Sequence, residues 1–152
     1  MPINQTLHRS VDMNLAVTTA LAAADAAADY STGLDTRGGS SGQPVNPNQN
    51  VDYRGNAARE EMNAVCIMEA SVLNNAKYIR FALQDSDDNS SFADISGLTY
   101  IELQGVASNT NPETEFRWAL PPATRRYIRS SCTVESGGGT LTGDNWLFAI
   151  VT

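Results

Sequence analysis

The chain has 152 residues, 41% of them apolar and 18% charged, with a formal net charge of −7. That length reads as one domain, 1–152, burying about two-thirds of the surface its unfolded chain would expose. The acidic balance argues against a nucleic-acid groove or an anionic membrane face and points to protein partners or none.

No run reaches the length of a transmembrane helix, and the opening MPINQTLHRSVDMN lacks the basic and apolar regions of a signal peptide. The expectation is a chain made and left in a cytoplasm. Its only histidine, His8, has no Ser, Cys or carboxylate partner placed by the sequence to make it a general base. The first structural ambiguity is LAVTTALAAADAAADYSTGLD, Leu15 to Asp35. Alanine propensity favours helix, yet Ala22 to Ala28 offers only alanine and Asp25, so a helix there has almost no large apolar stripe to bury. Residues 1–35 are read as an N-terminal segment, and 36–58, punctuated by Gly38, Gly39, Gly42, Pro44, Pro47 and Gly55, as a long loop or arm. Such a stretch is either a surface excursion or an ordered arm lying on a neighbouring subunit.

After Arg59 the period changes to two. In NAVCIMEASV, Ala64, Cys66 and Met68 alternate with Val65 and Ile67, a strand covered on both faces. KYIRFALQ follows, with Ile79, Phe81 and Leu83 on one face and Tyr78, Arg80 and Ala82 on the other. LTYIELQG sets Ile101 and Leu103 against Tyr100, Glu102 and Gln104, and EFRWAL sets Phe116 and Trp118 against Glu115 and Arg117. The tail reads as two strands around a glycine-rich hairpin turn, Gly137 to Gly139. Ile128, Cys132 and Val134 share a face that Ser130 interrupts, and Trp146, Phe148 and Ile150 oppose Leu147, Ala149 and Val151. About seven or eight strands with turn signals between them make an all-β sandwich or jelly roll.

Few constellations carry chemistry. Asp85, Asp87 and Asn89 give D-x-D-x-N, but Ser90 and Ser96 stand where an EF-hand needs Gly and Glu, so a solvated turn is the plainer reading. The glycine run lacks the lysine of a phosphate-binding loop. Cys66 and Cys132 read as buried, reduced hydrophobes. No cofactor or metal is expected. The basic group Arg117, Arg125, Arg126 and Arg129 admits two readings: pairing with Glu102, Glu113, Glu115 or Glu135 across strands, or docking on an acidic partner. The tetrapeptide Lys/Arg-Tyr-Ile-Arg occurs at Lys77–Arg80 and at Arg126–Arg129, with no identity in the continuations, so it is not a repeat unit. Each copy places Ile in the core and Tyr with Arg on the opposite face, which should be covered by a chain segment or a neighbouring subunit.

The stretch LQDSDDNSSFADI, the terminal RYIRSSCTVESGGGTLTGDNWLFAIV and the Ala/Thr-rich segment closing on DYSTGLD together resemble the capsid cement, or decoration, proteins of tailed bacteriophages, the type described from a Bordetella podophage. The match runs in order through Gln84, Ser86, Asp87 and Asp88 and through Arg126 to Arg129. The resemblance implies a jelly-roll-like antiparallel sandwich of about eight strands with an extended N-terminal segment. It also implies a homo-oligomer, dimer or trimer, on the outer capsid surface of the virion, assembled in the host cytoplasm. Its partner would be the major capsid protein, whose neighbouring subunits it clamps, with no nucleic acid, no membrane and no catalysis. Interface candidates are Tyr53, Arg54, Tyr78, Arg80, Arg125, Arg126, Tyr127 and Arg129. The alternative is a jelly-roll binding module for glycans or a receptor in a phage fibre or tail, with Tyr30 or Tyr53 as exposed aromatics. An enzyme of the metal-dependent jelly-roll kind would need more histidine than this chain has.

Overall fold

A computed structural model describes residues 11–21, 27–36, 63–108, 110–121, 123–139, 141 and 144–151, with backbone alone for 11–15. These residues form ten strands and no helix: β1 (Val11–Ala20), β2 (Ala28–Tyr30), β3 (Leu34–Asp35), β4 (Asn63–Met68), β5 (Tyr78–Ser86), β6 (Ala93–Asp94), β7 (Ile101–Gln104), β8 (Thr114–Ala119), β9 (Tyr127–Val134) and β10 (Asn145–Val151). The chain is extended on both sides of the central alanines, so tertiary pairing overrides alanine propensity wherever the tract is described.

Two antiparallel sheets result. Sheet A has the order β1-β10-β4-β8, and sheet B the order β2-β9-β5-β6, with β3 also on β9 and β7 also on β5. In sheet B, β2 pairs with residues 131–133 of β9 and β3 with 127–128, so both lie along one edge. Likewise β6 pairs with 84–85 of β5 and β7 with 78–81. Ten strands therefore fill eight positions. Residues 11–20 belong to sheet A, paired to β10 with a register shift between Val11 and Ala16.

The sheets face each other across one core. From sheet A come Ala64, Cys66, Met68, Trp118, Trp146, Phe148 and Ile150, and from sheet B Ile79, Phe81, Leu83, Ile128, Cys132 and Val134. The Phe81 ring lies 5.3 Å from that of Phe116 and 6.3 Å from that of Trp146, bridging the two layers. Burying each of these large side chains stabilises the fold by about 1.5–3 kcal/mol. The alternate residues of β4 and β10 are apolar too: Val65, Ile67 and Val151, with Leu147, make a second cluster on the other face of sheet A. That explains the near-continuous apolar runs.

Ser130, the interruption in the β9 pattern, sits wholly inside. Its hydroxyl accepts the Trp146 indole N–H at 2.8 Å, and its own backbone N–H donates to Ser31 Oγ at 2.9 Å. A buried indole requires such a partner, so the polar residue is part of the core's design. Cys66 and Cys132 are free, buried thiols whose burial pushes both pKa values up, out of the reactive range.

The glycine run corrects one expectation. β9 and β10 lie in different sheets, so Gly137 to Gly139 carry the chain between layers and close no hairpin. Gly137 and Gly139 have φ of 78° and 112°, and the Asn74 backbone N–H and side-chain amide bind the Gly138 and Gly137 carbonyls at 2.8 and 2.9 Å. The basic group is also divided: Arg117 lies on β8 in sheet A, bonded to Glu115 on its own strand at 2.9 Å, away from the three arginines of sheet B.

Candidate interaction face

The outward side of sheet B gathers arginine, tyrosine and other polar side chains. On β5 and β9 the pleat sends Ile79 and Ile128 inward and Tyr78, Arg80, Tyr127 and Arg129 outward, half-buried. The register arranges the outward residues in rows. Glu102, Arg80, Thr133 and Ala28 form one; Ala82, Ser131 and Tyr30 the next; Asp94, Gln84 and Arg129 a third.

Each tetrapeptide's final arginine is held between aromatic rings. The Arg80 guanidinium lies 4.0 Å from the Tyr78 ring centre and 4.6 Å from that of Tyr100, and its Nε donates to Glu102 Oε2 at 2.8 Å. The Arg129 guanidinium lies 4.0 Å from Tyr30 and 4.1 Å from Phe92, and donates through Nε and Nη2 to Gln84 Oε1 at 3.0 and 2.7 Å. Gln84 in turn donates to Asp94 at 2.9 Å. A planar cation stacked on rings and tied at its edge loses little freedom when a partner arrives.

At the start of β9, arginines clamp buried carboxylates. Arg125 donates from its backbone N–H and Nε to the Asp85 carboxylate at 2.9 and 2.8 Å, and from Nη2 to the Asp85 carbonyl at 2.8 Å. Arg126 binds both oxygens of Asp35, through Nε at 2.9 Å and Nη2 at 2.7 Å, and its guanidinium lies 4.9 Å from the Tyr127 ring. Hydrogen bonds to Glu102, Asp85 and Asp35 push the pKa values of Arg80, Arg125 and Arg126 further up, so these groups stay charged. A cleft of about 260 Å³, lined in part by Asp94, Ser96 and Thr124, opens beside the Asp85–Arg125 pair.

The acidic loop after β5 is organised by Asp88. Its carboxylate accepts the Ser91 N–H at 2.7 Å, the Ser86 hydroxyl at 2.7 Å and the Ser90 N–H at 2.9 Å, which hold its pKa well below the usual carboxylate range. Asn89 takes a left-handed turn with φ of 58°. With Asp85 bound to Arg125, the D-x-D-x-N run works as a turn. Among the described residues no cluster of three or more His, Cys, Asp or Glu could hold a metal ion, and no helix is long and apolar enough to cross a membrane.

Of the sequence-predicted interface residues, Tyr78, Arg80, Tyr127 and Arg129 share the outer face of sheet B, and Arg125 and Arg126 stand at its end. Tyr53 and Arg54 lie outside the described residues. Neither Tyr78 nor Tyr127 is fully exposed. Sequence reasoning missed Phe92 and Tyr100 as ring partners and Asp35, Asp85 and Gln84 as acceptors. Of the expected acidic partners, Glu115 takes Arg117, on its own strand, at 2.9 Å, while Glu102 takes Arg80 and Glu135 takes Lys77 at 3.4 Å. Comparison with known proteins matched no family model and no curated protein sequence.

Proposed function

We propose that this chain is a structural virion protein, a jelly-roll capsid cement protein that binds the outer capsid surface as a homo-oligomer and clamps neighbouring major capsid subunits. The strand nesting supports the jelly-roll part. With β2 and β3 taken as one interrupted strand, and β6 and β7 as another, eight strands remain. The first pairs with the eighth, the second with the seventh, the third with the sixth and the fourth with the fifth, alternately in sheets A and B. Such nesting arises when one long antiparallel ribbon is rolled into two layers.

A fold does not name a function. The observation that carries the capsid reading is that the two stretches resembling cement proteins meet in space. Residues 84–86 and 127–129 are neighbours in register, Gln84 with Arg129 and Ser86 with Tyr127, and the Gln84 and Arg129 side chains bond. A rigid domain repeated over a closed shell gains by multivalency, so each contact can be individually weak. In this reading the arm of residues 36–58, of which only Thr36 is among the described residues, reaches the capsid.

Virions assembled without the chain are expected to form but to release their contents at lower temperature or milder osmotic shock; equal robustness would overturn the cementing role. Deleting residues 36–58 should lower capsid occupancy, and unchanged occupancy would remove the arm from the proposal.

A further inference from the structure

We propose that β8, at the edge of sheet A, pairs antiparallel with β8 of a second copy of this chain about a two-fold axis at Phe116, so that the two A sheets become one continuous layer. The pairing rests on the capsid reading only for its setting, the homo-oligomer. It is tested on the isolated chain, so its failure leaves the capsid role standing.

Among the described residues the other sheet edges are blunted and β8 is not. On sheet B one edge is split between β2 and β3 and the other between β6 and β7, pieces of two to four residues. β1, on the far side of sheet A, shifts register against β10 between Val11 and Ala16. Short or irregular edges resist further pairing. Thr114 to Ala119 of β8, by contrast, pairs with β4 residue for residue and without a shift. Among the described residues no strand lies beyond it, and its backbone makes no backbone bond outside that ladder. Glu115, Arg117 and Ala119 are exposed along it. A regular edge with a row of unused N–H and C=O groups is a template for one more strand.

Charge complementarity selects a second copy as the occupant and fixes its register. A two-fold axis normal to the sheet sets outward residues opposite outward residues, so it must fall on a residue position. Centred on Glu115 or on Arg117, it brings like charges face to face, which destabilises a strand pair. Centred nearer either end of β8, it shortens the ladder. Centred on Phe116, it sets Glu115 of each copy opposite Arg117 of the other and pairs residues 114–118 along the strand. Within one chain Arg117 Nη2 already reaches Glu115 Oε1 at 2.9 Å, so the four charges close into one ring across the seam. On the inner side Phe116 is half-buried, its ring 5.3 Å from that of Phe81. Opposite residues hold their Cβ atoms about 5 Å apart, so the two Phe116 rings meet beneath the seam. A seam of one six-residue strand is short, and the pairing is therefore weak for an isolated chain.

The test is sedimentation equilibrium of the full chain from micromolar to millimolar concentration, where a monomer–dimer equilibrium is expected. Arg117→Glu and Glu115→Arg each place like charges across the seam and should weaken dimerisation at least tenfold. An equimolar mixture of the two variants should restore a dimer containing one chain of each. The register is read with Glu115→Cys and Arg117→Cys: under mild oxidation their mixture should give the mixed disulfide dimer and neither variant alone a homodimer, since Cys66 and Cys132 are buried. A chain that stays monomeric at millimolar concentration would overturn the proposal. So would a dimer indifferent to both charge variants, a closed trimer, or disulfides formed equally well by each cysteine variant alone.

Discussion

Sheets A and B solve the two-faced problem of a β-layer differently. The central strands of sheet A, β4 and β10, bury side chains on both faces, with Val65, Ile67 and Val151 behind and Cys66, Trp146 and Phe148 in front. The central strands of sheet B alternate, with an apolar inner face and an outer face of arginine, tyrosine, glutamine and small residues. One layer is therefore held by packing on both sides. The other turns a face of stacked and hydrogen-bonded arginines away from the core.

Core truncation should give the largest effect and should not distinguish the sheets. Phe81→Ala in sheet B and Phe148→Ala in sheet A are each expected to destabilise by about 3–5 kcal/mol in denaturant unfolding, because both fill the shared interior. The comparison sharpens at the second face. Ile67→Ala behind sheet A should cost about 2–4 kcal/mol, whereas Tyr100→Ala on the outer face of sheet B should cost under about 1 kcal/mol. Equal losses at these two positions would erase the contrast.

The carboxylate clamp on β3 comes next. Asp35 is buried and accepts two charge-assisted bonds, but Arg126 keeps access to water. Asp35→Ala should therefore cost about 2 kcal/mol, visible as a lower denaturation midpoint, with Asp35→Asn losing less.

The smallest effects separate the sheets by pH. Asp88, beside sheet B, has a folded-state pKa below its unfolded value, set first by the Ser91 N–H and then by Ser86. The stability it contributes is fully present above the unfolded value near about 4 and is lost as pH falls through the folded value. Asp144, beside sheet A, has its pKa raised by burial and then by the Glu69 charge. Its ionised form is disfavoured by folding, so stability falls as pH rises through that window. Asp88→Asn should lower stability at neutral pH and flatten the acid limb, while Asp144→Asn should raise stability at neutral pH. Thermal unfolding across pH 3–7 measures both.

Much of this architecture was legible because period-two alternation is a local signal. The faces of β4, β5, β8, β9 and β10 read correctly from residues two apart, and Ser130 stood out as an interruption. Its partner Trp146 did not, since nothing local links a hydroxyl to an indole in the other sheet. The same holds for the clamps: Arg126 and Asp35 are 91 positions apart, and Arg125 and Asp85 40. Charge pairs at such separations are set by strand order, which alternation leaves open. Gly137 to Gly139 misled for a related reason, because the same backbone freedom serves a hairpin and a crossing between sheets.

The central claim, a structural protein of the capsid surface, is tested most directly by counting. Quantitative gel or mass-spectrometric analysis of purified virions should find this chain in amounts comparable to the major capsid protein. A handful of copies per particle would place it at the tail and contradict the account.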